Sequence, residues 1–584
     1  MILQALASYY QRIADDPASG VALEGFEKKD IPFIIVLSRE GIFKGLQDTR
    51  EGEGKKKRAR AFVVPKGVKK SSNIAANLLW DSPAYVLGRP KPDKKKDKEE
   101  LLRRSKDQKQ CFVDKIRATF PEPAGDAGVV AVLKFLQSGD FNPVFSHPLW
   151  PEIEESGGNI SFQLEGDTGL VCQREAVIKA IMKMGSDEKG EPQTCLVSGE
   201  MDEPVRLHTA IKGVWNTQSS GANIVSFNLP AFNSYGKEQG YNAPVGKSAE
   251  FAYTTALNTL LSRDSRQRIQ VGDASTVFWA EKEKGHEFEG IFGGFFAEPP
   301  KGESEQDNAA LRALFNAPIT GSRPQDEVDR IRFYVLGLAP NAARIAVRFW
   351  YAGTIGEIKE HIRQHFEDCS IVHGPKEREH LSLFRLLVST ALQGKSDNIQ
   401  PNLAGEMMKA ILDGTPYPQV LLSSVIRRIR SEHEVTYQRA SVIKGVLARD
   451  SRFYKKSEME VSMALDRSNI NAGYLLGRLF AVLERAQEAA SPGINATIRD
   501  RFYGAASCTP VAVFSHLLKL KNHHIAKLEN RGQAINLEKQ IGEIMAGLND
   551  FPAHLNLQDQ GRFAVGYYHQ RQDFFTKKET IEGK

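Results

Sequence analysis

The chain has 584 residues, 41% hydrophobic and 26% charged, with a formal net charge of +6; this is the composition of an ordinary globular protein of roughly two to four domains. Its five cysteines, Cys111, Cys172, Cys195, Cys369 and Cys508, are far apart with no CxxC pair, which argues against a zinc ribbon or a disulfide scaffold and for a reducing compartment. The longest apolar run, residues 472–483, is broken by Arg478 and falls short of the about 18 residues a membrane span needs, so the expectation is a cytoplasmic protein with no membrane partner.

In chain order, MILQALASYYQRIADD lacks a basic n-region and reads as a helix rather than a signal peptide. Residues 33–46 read as two strands around Arg39-Glu40-Gly41, and 59–65 as a third. The charge is concentrated next: residues 55–109 hold 18 Lys/Arg against 6 Asp/Glu, a local +12 in two clusters, KKKRAR at 55–60 and a longer run at 89–109. Solvated loops would account for either cluster alone. Between them, however, lies PKGVKKSSN at 65–73, and lysines that neutralise phosphates release counterions, so a polyanion partner is the leading expectation.

Residues 219–247 crowd glycines, amides and small residues among Tyr and Phe, close after Trp215. A buried core has little use for them, because each buried amide needs partners and each glycine costs backbone entropy. A loop that approaches a polar polymer would use them all. Further on, 332–353 reads as two β-rich runs around a Pro-Asn turn. Within it the alternation of Arg344, Ala346, Arg348 and Trp350 with Ile345, Val347, Phe349 and Tyr351 suits a strand with one wet face. Residues 356–455 and 456–584 carry apolar residues at three-to-four spacing and read as helical, the last stretch as a small bundle. The expected class is therefore α+β: a mixed α/β region 1–355 with short strands and long loops, a helical connecting region 356–455, and a C-terminal helical bundle 456–584.

Enzyme signatures fail on spacing. Gly246-Lys247-Ser248 lacks the glycine five residues before Gly246 that a phosphate loop requires, and Gly394-Lys395-Ser396 has Ser389 there. His361, His365, Cys369 and His373 recur every four residues, but on a helix the outer pair would stand about 18 Å apart, too far for one metal; they read as surface or cap residues. His208, near Cys195 and Glu200, reads as a core histidine. No catalytic, metal or cofactor site is expected. Trp80, Tyr85, Trp215, Tyr235 and Tyr241 could stack on bases or pack in a core.

KKSSNIAANLLWDSPAYVLG (69–88), HTAIKGVWNTQSSGANIVSFNLPAFNSYGKEQGYNAP (208–244), VFWAEK (277–282) and the tail RLFAVLERAQ, TIRDRFYGAAS and QGRFAVGYYHQRQDFF within 478–575 together resemble the large subunit of subtype I-C CRISPR interference (Cascade) complexes. The resemblance spans nearly the whole chain. It implies a non-enzymatic subunit at the 5′ end of the crRNA that recognises the protospacer-adjacent motif (PAM) in double-stranded target DNA, helps open the duplex and stabilises the displaced single strand. The implied partners are the crRNA, the crRNA-handle-binding subunit, backbone subunits, a small subunit resembled by the C-terminal bundle, and a helicase-nuclease. That bundle can also be made from an internal start in such proteins, for which Met459 and Met463 stand at the right place.

Three groups of residues are then expected to meet nucleic acid. Lys66, Lys69, Lys70, Ser71, Ser72 and Asn73 would contact the PAM, with Asn73 reading a base edge. Ser234, Tyr235, Gly236, Lys237, Gln239 and Asn242 would form a glycine-containing loop with a wedge. Lys519, Lys521, His523, His524, Lys527 and Arg531 would line the displaced-strand path. The alternative reading is a standalone single-stranded DNA-binding or recombination protein.

Overall fold

The computed structural model describes residues 2–16, 19–52, 57–68, 70, 74–93, 97–121, 125–184, 191–296, 327–455 and 461–575. The fold is α+β, with small sheets in the N-terminal half and helices in the C-terminal half. The chain divides into two compact units, 1–209 with 225–259, and 210–224 with 260–584.

The first unit is built on a four-stranded sheet. Phe33–Leu37 pairs antiparallel with Phe43–Asp48 and parallel with Ile160–Leu164, which in turn pairs with Trp80–Asp81. Both central strands are nearly all buried: FIIVL at 33–37 reads accordingly as an unbroken apolar run, whereas ISFQL at 160–164 buries the polar Ser161 and Gln163 among its apolar residues. The turn at Arg39–Gly41 falls as the sequence suggests. The third strand pairs elsewhere: Ala61–Pro65 joins Phe26–Asp30 in a separate two-stranded ribbon. The second basic cluster enters a helix, Lys98–Thr119, whose Asp97 side chain accepts the Glu99 N–H as an N-cap and whose Phe112, Val113 and Ile116 enter the core.

The second unit opens with an antiparallel meander: Arg268–Val271, Ala274–Ala280, Arg332–Asn341 and Arg344–Thr354. Pro340 and Asn341 lie in the ladder, and Ala342-Ala343 make the turn, with Ala342 at φ +51°. The expected alternation breaks at a bulge. Gly337 faces Phe349 and Leu338 faces Val347, so Arg348 is the extra residue and Val347 turns outward. Helices follow at Ile355–Cys369, Leu383–Val388, Leu403–Asp413, Gln419–Glu432 and Tyr437–Phe453, then Ala472–Ala490, Ile498–Ala506, Pro510–Ala526, Arg531–Ala546 and Leu557–Asp573. One hydrophobic core runs from Val271 to Tyr568, continuous across residues 355 and 455, where the sequence suggested divisions.

Two buried carboxylates in this core are multiply paired. Glu484, fully buried, accepts hydrogen bonds from the Thr497 hydroxyl at 2.6 Å and the Tyr567 hydroxyl at 2.5 Å. Asp368 accepts from Arg449 at 3.0 Å and from both terminal nitrogens of Arg452 at 2.8 and 2.7 Å. The spacing that suggested surface histidines is corrected here: His365 is buried, its Nδ1 2.5 Å from the Tyr417 hydroxyl, because it lies on the inward face of this helix with Ile358, Ile362, Phe366 and Cys369.

Burial pushes His365 down to about 3, helped by Arg449 and His380, and burial beside Lys444 pushes His569 down to about 4. Both rings are neutral in the folded chain, whereas unfolded imidazoles titrate near 6.5. Below that pH the unfolded chain takes up protons that the folded chain refuses, so stability is full above about pH 6.5 and falls as the pH drops toward 4. The urea midpoint is expected to fall between about pH 7 and about pH 4.5, and less so in His569→Phe. A midpoint that stays flat across that range would contradict the assignment.

Candidate nucleic-acid interface

In the first unit, residues 230–247 form a braced loop. Its tip is a two-residue hairpin: Ser234 and Lys237 exchange backbone hydrogen bonds at 3.4 and 2.9 Å, with Tyr235 at φ +52° and Gly236 at φ +71° between them. Two successive positive φ values are the mark of a type I′ turn, which favours Asn and Gly and penalises a tyrosine. Gly236 meets that demand; Tyr235 occupies the strained position, and its side chain is 100% exposed. A large aromatic held in a costly backbone conformation and buried nowhere points to a function outside the chain.

The loop behind the tip is fixed from within. Asn242 accepts the Ser234 N–H at 3.1 Å through Oδ1 and donates to the Gln239 carbonyl at 3.0 Å. Gln239 accepts from the Arg206 guanidinium at 2.9 Å. Gly240 donates to the Arg206 carbonyl at 3.1 Å and packs so close to Val205 that no side chain fits there. The Cys195 thiol accepts N–H bonds from Val197, Ser198 and Gly246, which pins the loop's exit into helix Lys247–Leu260. Of the six residues expected here, Gln239 and Asn242 thus brace the loop, and Tyr235 and Lys237 are the side chains at its exposed tip.

The segment expected to contact the PAM lies partly outside the described residues: Lys69, Ser71, Ser72 and Asn73 are among those not described, while Lys66 is exposed. Among the described residues, Gly67 and Lys70 line an open cleft of about 450 Å³ together with Glu27, Lys29, Trp80 and Asp81, among others. Its floor is the buried Asp81 carboxylate, which accepts from the Lys70 ammonium at 2.5 and 2.6 Å, from the Asn77 N–H at 2.9 Å and from the Ser82 N–H at 2.7 Å. Lys70 also sits 3.6 Å over the Tyr85 ring. Its charge is therefore engaged within the protein, and a phosphate would have to draw it from Asp81. Chain on both sides of the segment is held as well: Gly67 N–H to Glu27 at 3.0 Å, Val68 N–H to Asn77 at 3.0 Å, and the Trp80 indole N–H to the Pro65 carbonyl at 2.8 Å. Trp80 is a core residue, 2% exposed. Neither Asp81 nor Arg206 is legible from spacing, since each meets its partner only through the tertiary fold.

In the second unit, helix Pro510–Ala526 buries Val513, Phe514 and Leu517 and exposes Ser515, Lys519, Asn522 and His523. Lys527 and Arg531 are exposed beyond its end. Lys521 differs: its ammonium donates to the Glu538 carboxylate at 2.8 and 3.0 Å and only 12% of its side chain is exposed. His524 is half-buried, and burial with the neighbouring Lys527 and His523 lowers its pKa. The exposed lysines and arginine among the six residues expected here are Lys519, Lys527 and Arg531.

No helix among the described residues is long and apolar enough to cross a membrane. No curated protein matches the chain. A family described as CRISPR-associated protein (Cas_Csd1) matches residues 6–575.

Proposed function

The chain belongs to the CRISPR-associated Cas_Csd1 family, and from that premise we propose that it is the non-catalytic large subunit of an RNA-guided surveillance complex of subtype I-C. In this reading it recognises the PAM in duplex DNA, starts strand separation, stabilises the displaced strand and helps to recruit a helicase-nuclease. Pairing with the crRNA reads the target while protein reads the PAM and the backbone, so the protein needs a small recognition site, a wedge and a basic path rather than a catalytic centre. The observation that carries the reading is the Tyr235 hairpin: a fully exposed aromatic at a strained turn, next to Lys237, on a braced loop. An aromatic so placed can enter a base step and hold it unstacked.

The test is to tag the chain in its host, purify it gently, and sequence the bound RNA while identifying bound proteins. Short RNAs of uniform length with a common 5′ handle, together with handle-binding, backbone and small subunits, are the expected result. Mixed nucleic acid with no partner protein would favour a standalone single-stranded DNA binder.

The basic face makes a separate prediction. Replacing Lys519, Lys527 and Arg531 together with glutamine should flatten the log-affinity against log-salt slope for single-stranded DNA by about 0.7 for each phosphate no longer neutralised, or roughly 2 in all. Lys521→Gln alone should change it little, because that ammonium is paired with Glu538. An unchanged slope in the triple variant would remove this face from the displaced-strand path.

A further inference from the structure

Of the five tryptophans, Trp80, Trp150 and Trp279 are at most 7% exposed and Trp350 is half-buried, whereas Trp215 is 53% exposed. Trp215 belongs to a closed loop of the second unit. Ile211 and Ala222 exchange backbone hydrogen bonds at 2.8 and 2.9 Å and shut its base. Gly221, at φ +89°, permits that closure, since a Cβ there would lie 2.6 Å from the Ile211 carbonyl oxygen. Val214 is buried as an anchor, and Thr217 folds back to donate to its carbonyl at 2.8 Å. The Trp215 N–H donates to the hydroxyl of buried Ser275 at 2.8 Å, fixing the loop to the meander sheet. The indole is thus presented on a rigid mount.

Its surroundings decide what it is presented to. The other exposed residues of the loop are Lys212, Gly213, Asn216, Gln218, Ser219 and Ser220. A protein-binding hot spot surrounds its aromatic with further contacts that exclude water, and this loop offers no second large apolar side chain. One π-face among amides, hydroxyls and a lysine is the arrangement that stacks an unpaired base and contacts its sugar-phosphate. We propose that the 211–222 loop is a nucleobase-stacking site, with Trp215 as the platform, for single-stranded nucleic acid. The site belongs to the second unit and does not depend on the Tyr235 hairpin acting as a wedge.

The indole itself reports the outcome. The full-length chain is titrated with oligo(dA) and oligo(rA) of about ten nucleotides, within the footprint of a single binding module, while tryptophan emission is followed. Wild type and Trp350→Phe are expected to show saturable quenching, and Trp215→Phe to lose it while keeping most of the affinity, because phenylalanine still stacks. Trp215→Ala is expected to bind roughly 5- to 140-fold more weakly, the range for one base–aromatic stack, with an unchanged unfolding midpoint. A larger loss on oligo(rA) assigns the site to the guide RNA, and a larger loss on oligo(dA) to a DNA strand. Quenching that persists in Trp215→Phe, or equal affinities for wild type and Trp215→Ala, overturns the proposal. So does a Trp215→Ala chain that loses a protein partner while its oligonucleotide affinity is intact.

Discussion

Gly477→Ala is expected to destabilise the second unit by about 4 kcal/mol or more, enough to leave little folded protein. Helices Ala472–Ala490 and Leu557–Asp573 approach backbone to backbone, and three glycines make the approach possible. A Cβ at Gly477 would overlap the Phe563 carbonyl oxygen, one at Gly566 the Tyr474 carbonyl oxygen, and one at Gly473 would lie 2.6 Å from the Asp559 carbonyl oxygen. Each obstacle is helix backbone, which cannot rotate away as a side chain could. Separating the helices would loosen the packing of Phe480, Phe563 and Tyr567 and pull the Tyr567 hydroxyl from buried Glu484. Gly542→Ala, on an open helix face, is the control and should be neutral or slightly stabilising. Equal chemical denaturation midpoints for the two variants would refute the close-packing account.

Tyr235→Ala is expected to abolish most PAM-dependent strand separation while leaving assembly of the complex and its affinity for a pre-opened target intact. The side chain is fully exposed, so its removal costs the fold nothing. Relief of the positive φ by Tyr235→Asn should stabilise the hairpin slightly yet still remove opening, because the amide is too small to hold a base step apart. A fluorescent base analogue next to the PAM reads the effect, with a loss of at least about tenfold in opening rate expected, roughly 1.4 kcal/mol of the unstacking cost. Gly236→Val should fail as well, for a different reason: the turn would hold two residues with Cβ at positive φ. Wild-type opening in Tyr235→Ala would end the wedge assignment.

The extent to which the sequence foretells this structure depends on how local the signal is. The α+β class, the strands at 33–48 and the C-terminal helices follow from periodicity and turn residues, because both act over a few positions. The partner of Ala61–Pro65 did not follow. Nothing in FEKKD at 26–30 marks a strand until the ribbon forms. The bulge at Arg348 was hidden for a similar reason, since only the opposing Gly337 and Leu338 define it. At the candidate site, glycine and amide density located the loop, but it could not separate Gln239 and Asn242, which hold the loop, from Tyr235 and Lys237 at its tip. Charge counting likewise gathered Lys70 and Lys521 with the exposed lysines, although Asp81 and Glu538 engage them. Trp215 shows the reverse: its hydrophobicity suggests the core, and the closed loop carries it outward.

The proposed role couples PAM recognition to duplex opening within a guided complex. The most direct test assembles the crRNA-loaded complex with and without the chain and follows a fluorescent base beside the PAM in matched and PAM-scrambled duplexes. Opening is expected only when the chain, the guide and the PAM are all present. Equal opening by the complex that lacks the chain, or opening of the scrambled duplex at the same rate, would contradict it.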